Sequence, residues 1–300
     1  MLIYYDNAGK TQFREFFQAS GVDCIPLYRN YLMRYVYMAS GCYAPKKLIF
    51  EVPKPAPDDD KIIVFDTHAT PQYLYWLCKR YPDKRILLWY WNPAGHERRF
   101  ELFPKRVEVW SYSPEDCARY GFRYNSQFYF DCVADAENRK NREFHTRPRV
   151  FFIGRDKGRE QEIRSLQSQL ERSGADTDIH FMRDRTRGNR RADPVMPYRE
   201  VLKMLRQSDV LLDYTLNEEG GLSLRPMEAL FFGKKLITNQ KSIRQYNFYR
   251  RENIYILGED SRSLRDFLKE PYAAPTQDIR DYYLLSNWLK RFDQAEDVRS

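Results

Sequence analysis

Short, nearly continuous apolar runs alternate with longer helical segments along this 300-residue chain, and the alternation limits the possible folds. Ile62–Phe65, Ile86–Trp91 and Val150–Ile153 contain no charged residue. A strand with one face in water would alternate apolar and polar residues, whereas a strand of a parallel sheet is covered on both faces. The pattern therefore predicts an α/β fold with parallel sheets built from βαβ units.

The elements fall into two groups on either side of a polar segment. The predicted strands are Leu2–Tyr5, Lys47–Val52, Ile62–Phe65, Ile86–Trp91, Val107–Trp110, Val150–Ile153, Asp178–Met182, Val210–Leu212, Leu236–Thr238 and Ile254–Leu257. The predicted helices include Thr11–Ala19, Pro71–Lys79, Arg159–Arg172, Tyr198–Gln207, Ser263–Lys269 and a last one near Asp278–Phe292. Residues 135–148 are charged and have no periodicity, which predicts a linker between two domains, 1–147 and 148–275.

The charge of the chain points to an anionic partner. The formal net charge is +8 and the isoelectric point is near 9.1. A nucleic acid, a phospholipid surface and a sugar nucleotide would each complement this charge.

The chain shows the features expected in the cytoplasm. It has no run of eighteen apolar residues, so we expect no transmembrane helix. The segment Met1–Asp6 has the pattern of a first strand and not of a signal peptide. The five cysteines form no C-x-x-C pair, which favours reduced thiols over a disulfide framework.

Several common catalytic motifs are missing. Gly9-Lys10-Thr11 resembles the end of a P-loop, but Tyr4 stands where its first glycine belongs. There is no G-x-G-x-x-G after the first strand and no nucleophile elbow. With four dispersed histidines and no cysteine pairs, we expect no dedicated metal site.

The run from Glu219 to Asn239 has the pattern of a ligand site. It follows the apolar strand Asp209–Asp213 and contains a glycine turn, the helix Leu224–Phe232 and a further strand, Lys235–Thr238. Ligands of open α/β sheets bind at the carboxyl ends of strands, and helix N-termini favour anions. The arrangement suits a nucleotide sugar, with its diphosphate at the amides and its ribose at a carboxylate.

The same run resembles the donor-site signature of GT-B glycosyltransferases, in which two glutamates bracket a Gly-rich turn. Eight residues separate Glu219 from Glu228, one more than in many members. Phe151–Arg159 resembles the strand and basic turn that open the donor domain of that superfamily. Further segments resemble bacterial glycosyltransferases of lipopolysaccharide and capsule assembly: Pro197–Leu202, Lys234–Asn239, Asn247–Tyr249, Asn253–Ile254 and, loosely, Trp110–Gly121.

The resemblance implies a GT-B architecture, with two Rossmann-like domains whose parallel sheets face an interdomain cleft. Residues 1–147 would form the acceptor-side domain and 148–275 the nucleotide-sugar-binding domain, while 276–300 would pack back on the first domain. It also implies a metal-independent enzyme without a cofactor. That enzyme would move a hexosyl or deoxyhexosyl group to a lipid-linked bacterial surface glycan. The expected partners are the donor, a glycan or glycolipid acceptor and the anionic inner face of the cytoplasmic membrane, but no nucleic acid.

Named residues follow from the resemblance and from their places at strand ends. The catalytic candidates are His68, Arg155, Lys157 and Glu219. The donor-binding candidates are Gly154, Arg159, Gly220, Gly221, Leu222, Ser223, Arg225 and Glu228. The acceptor-side candidates are Asn7, Gly9, Lys10 and Asn92. The cations would stabilise the leaving diphosphate as the glycosidic bond breaks.

Structural roles are open for several of these residues. Glu228 fits a helix-dipole role, His68 fits a helix cap, and the basic turn after Ile153 fits a solvated surface. The arginines between Arg183 and Arg191 suit a solvated loop, an anion clamp or a membrane contact. The segment Tyr28–Met38 mixes cations and aromatic residues, as interfacial helices do, but core packing with exposed arginines also explains it.

Two other functions stay open at this point. A GT-B-like sugar-nucleotide epimerase would consume the donor without an acceptor. A non-enzymatic basic module would bind nucleic acid or an anionic polymer in a salt-dependent manner.

Overall fold

The computed structural model describes residues 2–4, 13–40, 45–67, 69–95, 99–138, 145–183, 193–215 and 221–294. Internal contacts divide the chain into two compact units. The first unit comprises Met1–Ser126 together with Trp288–Ser300, and the second comprises Gln127–Asn287.

The first unit is built on a parallel sheet. Its strands are β1 (Leu2–Tyr4), β2 (Cys24–Pro26), β3 (Lys61–Phe65), β4 (Arg85–Tyr90), β5 (Val107–Ser111) and β6 (Arg123–Tyr124). Its helices are α1 (Arg14–Ala19), α2 (Tyr31–Ala39), α3 (Lys46–Ile49), α4 (Pro71–Arg80) and α5 (Pro114–Tyr120). The strand order is β2-β1-β3-β4-β5-β6, and each neighbouring pair is parallel.

The second unit also has a parallel sheet. Its strands are β7 (Arg149–Arg155), β8 (Asp176–Met182), β9 (Val210–Asp213), β10 (Lys235–Thr238) and β11 (Ile254–Ile256). Its helices are α6 (Asp131–Asn138), α7 (Glu160–Arg172), α8 (Tyr198–Arg206), α9 (Leu224–Phe232), α10 (Leu264–Lys269) and α11 (Gln277–Tyr282), and α12 (Leu285–Arg291) returns the chain to the first unit. The strand order is β11-β10-β9-β7-β8.

The apolar runs are buried on both faces of the sheets. In β4, Ile86 and Leu88 belong to the core that α4 covers, while Trp89, on the opposite face, contacts Phe65 of β3. Successive side chains of a strand point to opposite faces, so an uninterrupted apolar run needs cover on both. The prediction of parallel sheets from these runs is confirmed.

Two element predictions were wrong. The predicted strand Lys47–Val52 is instead the short helix α3, followed by Phe50, which forms an isolated bridge with Tyr28. A short apolar run does not distinguish a buried strand from a buried helix turn, because periodicity needs more residues. The predicted last helix is broken into α11 and α12, because Leu284 pairs with the backbone at Tyr129 between them.

The second unit begins earlier in the chain than the predicted domain limit between 147 and 148. Residues just after Ser126 pack within the second unit, where the Tyr129 ring stacks on Phe231 at 5.0 Å. The helix α6 also extends to Asn138, so the first residues of the predicted linker are helical. Residues 139–144 of that linker lie outside the described residues. The limits of the functional domains stay a prediction.

The end of the chain completes the first unit. Trp288 is fully buried, and its ring lies 4.9 Å from the Trp89 ring and 4.6 Å from the Phe292 ring. Arg291 donates hydrogen bonds to Asn125 at 2.8 Å and to Ser126 at 2.9 Å. These contacts cover the face of the sheet that carries Phe65 and Trp89.

We therefore expect Trp288→Ala to destabilise the protein by about 3–5 kcal/mol, because it removes a buried ring that the surroundings cannot refill. Denaturant unfolding would measure the loss. Tyr75→Ala is the matched control, because Tyr75 is an aromatic residue of the same unit that is 57% exposed. Equal losses in both variants would contradict the account.

Candidate functional site

The strand order of the second unit creates a crevice between β7 and β9. From β7 the chain passes to β8 on one side, and it then returns to β9 on the other side. Ligands of open α/β sheets bind outside the carboxyl ends of the strands where the order reverses in this way. Here those ends are Arg155 and Asp213.

Arg159 connects the two strand ends. Its guanidinium donates to the carbonyl oxygen of Arg155 at 3.0 Å and also to the carbonyl oxygen of Tyr214, the residue after β9. The same group lies over the Phe152 ring, 5.3 Å from its centre. Arg159 therefore holds a positive charge at the crevice and fixes the spacing of its walls.

Gly154 makes room for this arginine. A Cβ atom at position 154 would lie 2.8 Å from Nη2 of Arg159 and 3.1 Å from Cζ of Phe152. Both distances are shorter than ordinary contacts. Glycine at this position therefore leaves room for the guanidinium group of Arg159.

The turn after β7 exposes Lys157. Asp156 Oδ1 accepts a hydrogen bond from the backbone N–H of Glu160, the first residue of α7, at 3.0 Å. Lys157, at the tip, has φ 48°, a left-handed conformation that costs a non-glycine residue roughly 1–2 kcal/mol. Arg155 donates to the carbonyl oxygen of Arg183 at 3.2 Å. The fold therefore keeps Lys157, a cation with a strained backbone conformation, beside the crevice.

The start of α9 forms the opposite wall. Ser223 Oγ accepts from the backbone N–H of Arg225 at 3.2 Å and donates to Asp213 Oδ1 at 3.0 Å. The side-chain amide of Gln240 donates a hydrogen bond to the carbonyl oxygen of Gly221 at 3.1 Å. The side-chain amide of Gln127 donates one to the carbonyl oxygen of Leu222, also at 3.1 Å. The turn that precedes α9 is therefore fixed by side chains around it.

Glu228 is buried in a polar chain. One carboxylate oxygen pairs with Arg225, and the other accepts from the Tyr198 hydroxyl at 2.9 Å, which lies 3.0 Å from the Tyr129 hydroxyl. Burial raises the pKa of Glu228, and the Arg225 charge and the Tyr198 hydrogen bond oppose that rise. Arg225 also donates to the carbonyl oxygen of Ile153, at the end of β7, at 3.3 Å.

Because of these contacts, we expect a substitution of Glu228 to affect the stability of the protein as well as any ligand binding. A ribose hydroxyl would reach the carboxylate only by displacing Arg225 or Tyr198, since Glu228 is 2% exposed. Removing the carboxylate would leave a half-buried arginine unpaired, and breaking a buried pair costs about 3–5 kcal/mol. Glu228 is therefore a structural residue of this edge, whatever else it contacts.

Asp213 interacts electrostatically with both arginines, Arg159 and Arg225. It is buried at the end of β9, and burial raises its pKa, while the Ser223 hydrogen bond and the charges of Arg225 and Arg159 oppose the rise. Sequence reasoning missed Asp213 and Tyr198 as site residues. A signal was present for Asp213, because it is the first polar residue after the apolar run of β9.

The described site residues of the second unit thus lie along one edge of its sheet. They are Gly154, Arg155, Lys157, Arg159, Gly221, Leu222, Ser223, Arg225 and Glu228. Six further candidates, His68, Glu219, Gly220, Asn7, Gly9 and Lys10, lie outside the described residues. Asn92 follows β4 in the first unit.

The first unit carries a titratable group at the corresponding edge of its own sheet. Its strand order reverses between β1 and β3, and Asp66 follows β3 directly. Asp66 accepts from the backbone N–H of Trp91 at 2.9 Å and from the Asn92 amide at 3.4 Å. Burial raises the pKa of Asp66 to about 6, against the lowering effect of these hydrogen bonds. Sequence reasoning named His68 here and missed Asp66.

A cavity of about 620 Å³ opens at the opposite edge of the second sheet, where β7, β9 and β10 begin. His145 hydrogen-bonds there to the buried Asp209 at 2.8 Å, and burial lowers the pKa of Lys235 to about 8. None of the residues described above at the carboxyl edge of this sheet lines the cavity. In the described part of the chain, no group of three or more His, Cys, Asp or Glu residues is placed to hold a metal ion.

Comparisons with known proteins give only distant likenesses. No family model and no curated protein matches the chain. A solved structure of the GtfA/B complex matches with a TM-score of 0.39 and 10% identity, covering 75% of this chain and 59% of that chain. The catalytic domain of starch synthase IV from Arabidopsis thaliana, bound to ADP and acarbose, matches with a TM-score of 0.42 and 12% identity, covering 92% of this chain and 72% of that chain. Likenesses this weak do not bear on activity.

The raised pKa of Asp66 predicts a pH effect with a definite sign. The folded state holds the proton more tightly than the unfolded chain, whose Asp pKa is near 3.8. The contribution of Asp66 to the stability of the protein should therefore fall as the pH rises from about 4 to about 6, by on the order of 2–3 kcal/mol. Asp66→Asn should lack this fall, because its amide oxygen still accepts the Trp91 N–H and does not ionise.

Urea unfolding at several pH values would test this effect. Asp156→Asn is a suitable control, because that carboxylate also accepts a backbone N–H but lies in an exposed turn of the second unit. Identical pH profiles for the wild type and Asp66→Asn would contradict a raised pKa.

Proposed function

We propose that this protein is a glycosyltransferase whose second unit binds a nucleotide-diphosphate sugar at the carboxyl edge of its sheet. One observation carries the proposal: the guanidinium groups of Arg159 and Arg225 converge on the ends of β7 and β9, where the strand order reverses. The starts of α7 and α9 lie at the same edge. Helix starts and arginines together favour a phosphate group.

The roles of the residues follow from their places at this edge. The exposed Lys157 contacts the diphosphate directly, and its charge stabilises the leaving nucleotide as the glycosidic bond breaks. Arg159 shapes the crevice and contributes charge. Glu228 acts through Arg225, which it holds toward the end of β7. Arg155 joins them as a further cation, and the resemblance of the sequence adds Glu219 and Gly220 as donor-site residues.

The first unit would receive the acceptor. Asp66 and Asn92 are hydrogen-bonded at the carboxyl edge of its sheet. In the sequence, the predicted acceptor residues Asn7, Gly9 and Lys10 follow β1, and the predicted catalytic residue His68 follows β3. A carboxyl with a pKa of about 6 is ionised at neutral pH and can accept a proton from an attacking hydroxyl. An inverting transfer would use such a base.

The finer parts of the proposal rest on the sequence. The segments that resemble lipopolysaccharide and capsule enzymes support a lipid-linked bacterial glycan as acceptor and a hexosyl or deoxyhexosyl donor. The net charge of +8 supports a site of action at an anionic membrane on the cytoplasmic side. Within the described residues, no helix combines the length and apolarity needed to cross a bilayer. The proposed transfer uses no metal ion and no cofactor.

The prediction that tests the donor site uses Lys157→Asn. Asparagine tolerates the left-handed conformation at this position, so the variant should keep its stability while losing the charge. We expect affinity for the nucleotide sugar to fall by about 10- to 100-fold, as for the loss of one charge-assisted hydrogen bond. Lys203→Asn is the control, because Lys203 is an exposed lysine of α8 paired with Glu200.

The donor is found first by thermal shift with UDP-, GDP-, TDP-, ADP- and CMP-sugars, because a ligand of the folded state raises the melting temperature. If Lys157→Asn binds the nucleotide sugar with unchanged affinity, the proposal that the diphosphate binds at this edge is wrong. Donor turnover that proceeds without any acceptor and yields an isomeric sugar would identify an epimerase. Salt-sensitive binding of RNA or DNA without any donor shift would identify a polyanion-binding module.

A further inference from the structure

An apolar stripe faces solvent on helix α2 of the first unit. Leu32, Tyr35, Val36 and Ala39 are exposed and follow one another at i, i+3, i+4 and i+7, which places them on one face of the helix. On the opposite face Tyr37 is fully buried and contacts Phe50 at 4.9 Å between ring centres. The helix therefore has an apolar outer face in addition to the apolar face that anchors it.

Two more exposed apolar residues lie on α2 and on the helix that it contacts. Met38, on α2, is 60% exposed, and Leu48, on the neighbouring helix α3, is 61% exposed. Large apolar side chains that are exposed singly need no explanation, whereas a cluster indicates a contact surface. We call Leu32, Tyr35, Val36, Met38 and Leu48 the α2 face.

The segment that carries the α2 face is basic, and its charge favours one kind of partner. Residues 29–54 contain five cations and one acid, Glu51. The cations are Arg29, Arg34, Lys46, Lys47 and Lys54. A second copy of this chain in an isologous contact would bring these like charges together. An anionic lipid surface instead has apolar acyl chains, which would contact the apolar side chains, and negative headgroups, which would contact the cations. Basic amphipathic helices bind in this environment.

We propose that the α2 face docks the first unit on an anionic phospholipid bilayer. Leu32, Met38 and Leu48 enter the interface, and lysines and arginines of the same segment contact the headgroups. The proposal adds a defined surface to the membrane site of action inferred above, but it does not depend on glycosyl transfer. Its test uses no nucleotide sugar, so the two proposals can fail separately.

The test is co-sedimentation of the full-length protein with vesicles of phosphatidylcholine, with and without phosphatidylglycerol. We expect binding to the anionic vesicles at about 0.1 M salt and weaker binding at about 1 M salt. The double variant Leu32→Ser/Met38→Ser should bind at least tenfold more weakly, because it removes two inserted apolar side chains. Lys47→Gln should weaken binding about fivefold.

Matched controls separate the α2 face from general stickiness. Leu102→Ser removes an equally exposed leucine, 63% accessible, from another part of the same unit. Lys203→Gln removes an exposed lysine from the second unit. Both should bind vesicles like the wild type, and all variants should keep the wild-type melting temperature, since the substituted side chains are exposed.

Three results would overturn the proposal. These are the absence of binding to anionic vesicles, equal binding to vesicles of phosphatidylcholine alone, and unchanged binding in Leu32→Ser/Met38→Ser. A self-association that the double variant abolishes, seen by light scattering in the absence of vesicle binding, would assign the face to a second copy of the chain.

Discussion

The reversal of strand order between β7 and β9 is the constraint on which the second unit depends. It opens a crevice at the sheet edge, and the backbone carbonyl groups there need partners. Arg159 supplies donors to both walls, through Arg155 and Tyr214, and Arg225 supplies another to Ile153. The same two arginines lower the cost of burying the Asp213 carboxylate. Packing, hydrogen bonding and positive charge therefore have a common origin at this edge.

Strong local patterns predicted much of this architecture. The helix Leu224–Phe232 has the predicted limits, because Ser223 caps its start and Gly233 ends it in the left-handed conformation. The strands β7, β9 and β10 were recognised from uninterrupted apolar runs. The weak elements escaped prediction: β2 and β6 are three and two residues long. Strands this short are specified by pairing with the neighbouring strand, because their own sequences are too short to show a periodic pattern.

The chemistry of the site was less predictable, because it depends on contacts between distant parts of the chain. The sequence placed Glu228 early in a helix, but its partner Tyr198 lies thirty residues away, in α8. That hydrogen bond and the pair with Arg225 make the glutamate structural. Asp66 likewise looks like an ordinary strand-end carboxylate. Its raised pKa arises from burial at a sheet edge, which no spacing in the sequence reports.

The central claim is that a nucleotide diphosphate lies against the edge formed by the ends of β7 and β9. Hydrogen exchange measured by mass spectrometry, with and without the nucleotide sugar that raises the melting temperature, tests it most directly. The account predicts slower exchange in residues 154–160 and 221–226 and unchanged exchange around the cavity at Asp209, Lys235 and Lys269. Protection confined to that cavity, or none in the second unit, would contradict it.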